Sequence, residues 1–118
     1  MTEMQSVAER YLASWNAAPV ERSHALSAWS EDATYVDPLM SASGRSAIGS
    51  MMDEAVANFP GHVFVLSGAV DGHGPYVRFN WTLMASDAKA VAHGTDVVRV
   101  DDNGRIAEVV GFLNGNAS

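Results

Sequence analysis

The sequence predicts one α+β domain, with three helices laid over the concave face of a curved antiparallel sheet. Three observations predict it. Apolar residues recur at helical spacing through the first half of the chain. Alternating strands broken by hairpin turns fill the second half. Helices first and a strand meander afterwards is an α+β order, not a βαβ order. The 118 residues give room for one core, and no repeat or linker divides positions 1–118.

The first helix is expected over about Glu3 to Ala17. Thr2 and Gln5 read as a capping box. Met4, Ala8, Tyr11, Leu12 and Trp15 form the apolar stripe. Pro19 breaks this helix, and a short second one follows from about Val20 to Trp29, with Leu26 and Trp29 as its buried edge. Ala33 to Asp37 is β-prone and stopped by Pro38, so it reads as a strand. Ser41 to Gly44 reads as a turn. The third helix runs from about Arg45 to Asn58, with Ile48, Met52, Ala55, Val56 and Phe59 as its stripe. Four strands follow: His62–Val70, Pro75–Ala85, Lys89–Val100 and Ile106–Leu113. Asp71–Gly74, Ser86–Ala88 and Asp101–Gly104 are the turns between them.

The net charge of -7 disfavours nucleic acid and anionic membrane surfaces, which attract basic faces. The chain has no cysteine, so disulfides and thiolate metal sites are excluded. Its beginning, MTEMQSVAER, has no apolar core of a signal peptide, and no stretch is long enough to cross a membrane as a helix. A cytoplasmic location is expected. No metal or cofactor is expected either. The four histidines show no ligand spacing, and P-loop, dinucleotide and Gly-x-Ser-x-Gly motifs do not occur. His24 and His73 read as exposed, and His93 faces away from the core by parity; His62 opens a strand near Phe59, within reach of a pocket mouth, but reads first as a surface residue.

Strand parity supplies the most informative position. Val77, Phe79, Trp81 and Leu83 share one face, opposite Arg78, Asn80 and Thr82. Ala92, Gly94, Asp96, Val98 and Val100 share the corresponding face of the next strand. A carboxyl at Asp96 is therefore set among apolar side chains, where charge is costly unless paired or protonated. Arg78 and Arg99 fall on the opposite face, so neither is placed to pair with it. Asp37 stands at the rim, at the end of its strand, where a carboxylate suits a general base. Tyr11 points from the first helix into whatever lies beneath.

AERYLASWNA, WSEDATYVDP, GRSAI and GTDVVRVDDNGRIAEVVGF together resemble the nuclear transport factor 2-like superfamily, nearest its ketosteroid isomerase and SnoaL-like polyketide cyclase branch. The likeness covers nearly the whole chain. It implies a cone-shaped, cystatin-like α+β barrel, usually a homodimer through the outer sheet face. It implies proton transfer beside a carbonyl of a small apolar, cyclic substrate. In such isomerases a helix-one Tyr and a late-strand Asp hold the enolate oxygen while an Asp before a Pro moves the proton; Tyr11, Asp96 and Asp37 match those places. A protonated Asp in that setting is a worked example of acid tuning in an apolar site. Two features depart from the pattern: the Tyr11 to Asp37 spacing is longer, and Met52 stands where some isomerases have a supporting Tyr. In the cyclases the Asp at the place of Asp96 is the base, which would exchange the two acids' roles.

The expected cavity wall is Phe79, Trp81, Leu83, Val98, Val109 and Leu113 from the sheet, with Trp15, Met52 and Phe59 from the helices. Epoxide hydrolysis of the limonene type would need an arginine between the two acids. A non-catalytic ligand-binding module is the alternative from another class, and convergence of the Tyr11, Asp37 and Asp96 oxygens on one cavity separates the two. Arg78, Asn80, Thr82, Ile106, Val110 and Phe112 are expected on the convex face, an apolar mix that predicts a symmetric homodimer there.

Overall fold

Helix α1 covers Glu3–Asn16 and buries Ala8, Tyr11, Leu12 and Trp15 of the predicted stripe; Val7 is buried with them, and Met4 is only partly buried. Residues 3–114 are described in the computed structural model, so the Thr2 cap lies outside the described residues. The remaining elements are α2 (Pro19–Ala25), α3 (Arg45–Ala57) and strands β1 (Trp29–Val36), β2 (Ser41–Ser43), β3 (Val63–His73), β4 (Tyr76–Met84), β5 (Ala90–Val100) and β6 (Ile106–Leu113). The six strands form one sheet in the order β2-β1-β6-β5-β4-β3. The α+β architecture is the predicted one. The sheet is curved and unclosed, and it is mixed rather than wholly antiparallel, because β1 runs parallel to β6.

The second helix ends four residues early. Leu26–Ala28 is a single 3₁₀ turn, and Trp29 already opens β1. Trp29 is fully buried, and its indole donates to Ser14 Oγ at 2.9 Å. Exposed Glu31 and Asp32 mask the start of this strand in the sequence. Ser41–Ser43, expected as a turn, pairs with β1 as a short edge strand. Strand β3 runs through Asp71, Gly72 and His73, so the hairpin turn shrinks to Gly74 and Pro75. The extra length is absorbed at Gly68, whose φ of 70° marks the break in register between Ser67 and Asp71.

A second bulge corrects the convex face. Val100 pairs with Ile106 and Arg99 with Glu108, leaving Ala107 unopposed. Parity flips there, and Ile106 turns inward to full burial in the core. The outer face keeps exposed Phe112 and half-buried Val110 beside a polar ladder in which Thr95 Oγ1 donates to Asn80 and accepts from Asn114. Thr82 is buried there between Ser67 and His93, hydrogen-bonded to both.

Arg22 locks the helical layer. It is 2 % exposed; its Nη1 donates to the carbonyls of Ser14 and Trp15 at 2.6 and 3.0 Å, and its Nε meets Asp53 at 3.1 Å. Those carbonyls belong to the last turn of α1, which has no partners of its own. Arg22→Ala is expected to cost about 1–3 kcal/mol, the scale for leaving buried acceptors unpaired, since the Asp53 end of the ion pair is nearly half exposed. Thermal melting checks this; an unchanged midpoint would mean the three bonds contribute nothing net.

Candidate active site

Asp96 projects from β5 into the space under α1 and is 3 % exposed. Loss of hydration raises its pKa to about 6; hydrogen bonding from Tyr11 and from the Trp81 indole pulls the other way, and the charge of Asp37 pushes it further up. Tyr11 is 1 % exposed. Burial holds its phenol well above the ordinary value, and Asp96 adds to that. The phenol therefore keeps its proton and acts as a donor.

Asp37 is half-buried and fully engaged. Its Oδ1 accepts from the backbone N–H groups of Leu39 at 2.7 Å and Met40 at 2.9 Å, and its Oδ2 accepts from the Tyr35 hydroxyl at 2.6 Å. These bonds close the turn between β1 and β2, where Asp37 N–H also donates to Met40 O. Burial and the Asp37 bond keep Tyr35 protonated. Tyr35 was not among the expected site residues. Its signal was available: it lies two positions before Asp37 on one strand, hence on the same face.

Two glycines shape the acid cluster. A Cβ at Gly94 would lie 2.2 Å from the Trp81 ring, so the indole rests on bare backbone. That placement brings the Trp81 N–H to Asp96. A Cβ at Gly111 would lie 2.8 Å from Asp96 Oδ1 and 3.2 Å from Asp37 Cβ. Asp96 pairs with Gly111 across the sheet, and Val36 sits beside Val110 on the other side. Gly111 thus separates the two acids by one strand without a side chain between them.

Tyr11, Asp37 and Asp96 all line one cavity of about 360 Å³. Trp15, Phe59, Trp81, Leu83 and Leu113 line it as expected. Met52, Phe79, Val98 and Val109 do not: each is at most 1 % exposed and packs in the core behind the wall. Parity gives the face of a residue but not its depth. Trp15 and Trp81, read as apolar wall, also favour the ionised forms of Tyr11 and Asp96 through their indoles. His62 lines the cavity, whereas His24, His73 and His93 are exposed. Arg78 pairs with Asp71 and Arg99 with Glu108 outside it, so no guanidinium stands between the acids. Among the described residues no group of three or more His, Asp or Glu could hold a metal ion, and no helix is long and apolar enough to cross a membrane.

A curved sheet under three helices is the cystatin-like α+β fold, and here a buried carboxyl and a phenol line the cavity between the two layers. The chain belongs to the SnoaL-like domain family, which matches residues 8–109. It is 47 % identical, with a TM-score of 0.94, to a protein from Agrobacterium tumefaciens str. C58 proposed as an isomerase of the SnoaL-like family; the match covers 98 % of this chain and 100 % of that one. A proposed SnoaL-like polyketide cyclase from Jannaschia sp. CCS1 shares the fold at 13 % identity and a TM-score of 0.77, over 95 % of this chain and 85 % of that one. A cystatin-like protein of unknown function from Methylobium petroleophilum PM1 does so at 18 % identity and 0.74, over 98 % and 78 %. No curated protein matches the chain.

Proposed function

We propose that this chain is an acid–base enzyme that moves a proton beside the carbonyl of a small, mostly apolar cyclic substrate. Asp96 is the base, and Tyr11 donates to the carbonyl oxygen as it gains charge. The observation that carries this reading is the Asp96 carboxyl itself: buried, on the cavity wall, with its pKa raised to about 6. Such a group is mostly ionised at neutral pH yet more basic than an ordinary carboxylate, the balance general base catalysis needs. In the free site the Tyr11 hydroxyl bonds to Asp96, and it turns to the carbonyl oxygen when substrate binds; burial keeps its proton on it for that role.

This reading exchanges the roles that the ketosteroid isomerase resemblance implies. Asp37 spends both oxygens on Tyr35, Leu39 and Met40, so protonating it would cost those bonds. It orders the turn and keeps the Tyr35 hydroxyl aimed at the rim. The closing step fits an isomerase, which returns the proton to another carbon, and the 47 % identical relative supports that ending. A cyclase would pass the enolate to a second carbonyl; the cyclase neighbours support the fold alone. Self-association through the outer face around Phe112 and Val110 belongs to the same proposal.

The test needs no native substrate. Deuterium exchange at the α-carbon of 2-tetralone in D₂O, followed by NMR, reads proton abstraction directly. Asp37→Asn is expected to keep exchange within about tenfold of wild type, while Asp96→Asn loses about 10²–10⁴-fold. Wild-type exchange in Asp96→Asn, or loss confined to Asp37→Asn, would reject the assignment.

A further inference from the structure

His62 stands at the opposite end of the cavity from the acids and takes no part in the proton transfer. Its Nδ1 lies 3.0 Å from the carbonyl of Pro60. A carbonyl only accepts, so Nδ1 carries the hydrogen. In the neutral ring Nε2 is then a bare acceptor, and among the described residues it has no hydrogen-bond partner. Edge contact with Phe59, at 5.4 Å between ring centres, fixes the ring plane. The other polar group near this end, Asn16, is held to the backbone of β3: its amide donates to Phe64 O and its oxygen accepts from Phe64 N–H, both at 2.8 Å.

We propose that His62 selects the substrate, accepting a hydrogen bond from a hydroxyl carried at the end remote from the reacting carbonyl. This rests on the reading that Tyr11 and Asp96 take the carbonyl end. Electrostatics favour a neutral donor over an anion there, since the lining holds Asp37 and Asp96 and no Lys or Arg. Register sets the length. Asp96 pairs with Phe79, and Val63, next to His62, pairs with Met84. Five residues of strand separate those positions, about 17 Å at 3.4 Å per residue, less the inward reach of side chains over a concave sheet. Two fused rings with a hydrogen bond of about 2.8 Å at each end span about 13 Å. The cavity volume of about 360 Å³ is at the small end for ligand sites and suits a flat molecule of that size.

Binding of three naphthols, followed by their fluorescence at about pH 8 where an ordinary imidazole is neutral, tests this. 2-Naphthol offers one hydroxyl for the acid end, as a planar enol mimic. 2,6-Dihydroxynaphthalene adds a donor at the far end, and 6-methoxy-2-naphthol adds an oxygen that cannot donate. The diol is expected to bind about 5- to 10-fold tighter than 2-naphthol, beyond the twofold its equivalent ends give statistically. The methoxy compound should show no gain. In His62→Phe the diol's advantage should fall to the statistical factor, with 2-naphthol affinity changed less than about twofold. An advantage that persists in His62→Phe, no advantage in the wild type, or an equal gain from the methoxy compound would overturn the proposal. If 2-naphthol binding is also indifferent to Asp96→Asn, the acid-end reading fails separately. Binding of none of the three overturns both.

Discussion

Asp96→Asn is expected to lower turnover about 10²–10⁴-fold while making the protein more stable at neutral pH. The two effects have one source. Burial raises the folded-state pKa of Asp96 from 3.8 to about 6. Between those values the folded state holds a proton that the unfolded chain has released, so stability falls as pH rises through this window. Above it the full cost of the buried charge is present, on the order of 3 kcal/mol for a shift of this size. Asparagine keeps the shape and carries no such cost, so melting temperatures of variant and wild type should diverge as pH climbs from about 4 to about 7. The rate has its own signature. A base must be ionised, so wild-type kcat/KM should rise with pH, bend near the Asp96 value of about 6 and then level off. If Asp96 instead donated a proton to the enolate oxygen, activity would fall above that bend. The direction of the profile therefore decides between the two roles.

The periodicity of α1 and the parity of β4 and β5 carry most of what the sequence could say. Both are local properties, and both put Tyr11 and Asp96 on the faces where they lie. What escaped is nonlocal or irregular. Ala107 inserts one residue into β6 and reverses the facing of Ile106, which no alternation count can detect. The parallel pairing of β1 with β6 joins segments far apart in the chain, and three-residue β2 is too short to show a period. The difference between cavity wall and deep core, which separates Trp81 from Phe79, depends on the curvature of the whole sheet. Asp37 was placed correctly at the rim, but its role turns on which hydrogens reach its oxygens. Those come from a turn whose geometry the Asp-Pro pair announces without specifying. The polar use of Trp81 follows from Gly94 directly across the strand pair, a cross-strand relation visible only once register is known.

Gly111→Ala should damage activity more than stability while adding no new chemistry. The added methyl group would sit 2.8 Å from Asp96 Oδ1 and 3.2 Å from Asp37 Cβ, closer than such atoms rest. Alanine does not strain the backbone here, since Gly111 is not among the positive-φ glycines. Overpacking of this kind typically costs about 1–3 kcal/mol, offset by about 0.4–1 kcal/mol from the stiffer unfolded chain. Melting should therefore drop only modestly. Activity should suffer more, because a displacement of about 1 Å at a reacting group can cost about 10²-fold. Asp37 is pinned by its three hydrogen bonds, so Asp96 is the side that yields. Its carboxyl would be lifted from the strand surface into the cavity, nearer to water, and regained hydration outweighs the weakened Trp81 contact because burial is the largest cause of the raised value. Rehydration lowers the pKa of a buried acid, so the bend in the rate profile should move below the wild-type position near 6. A variant that is merely destabilised would lose active protein without moving that bend. If kcat/KM and the bend both stay at wild-type values in Gly111→Ala, the carboxyl of Asp96 does not work from the position over Gly111.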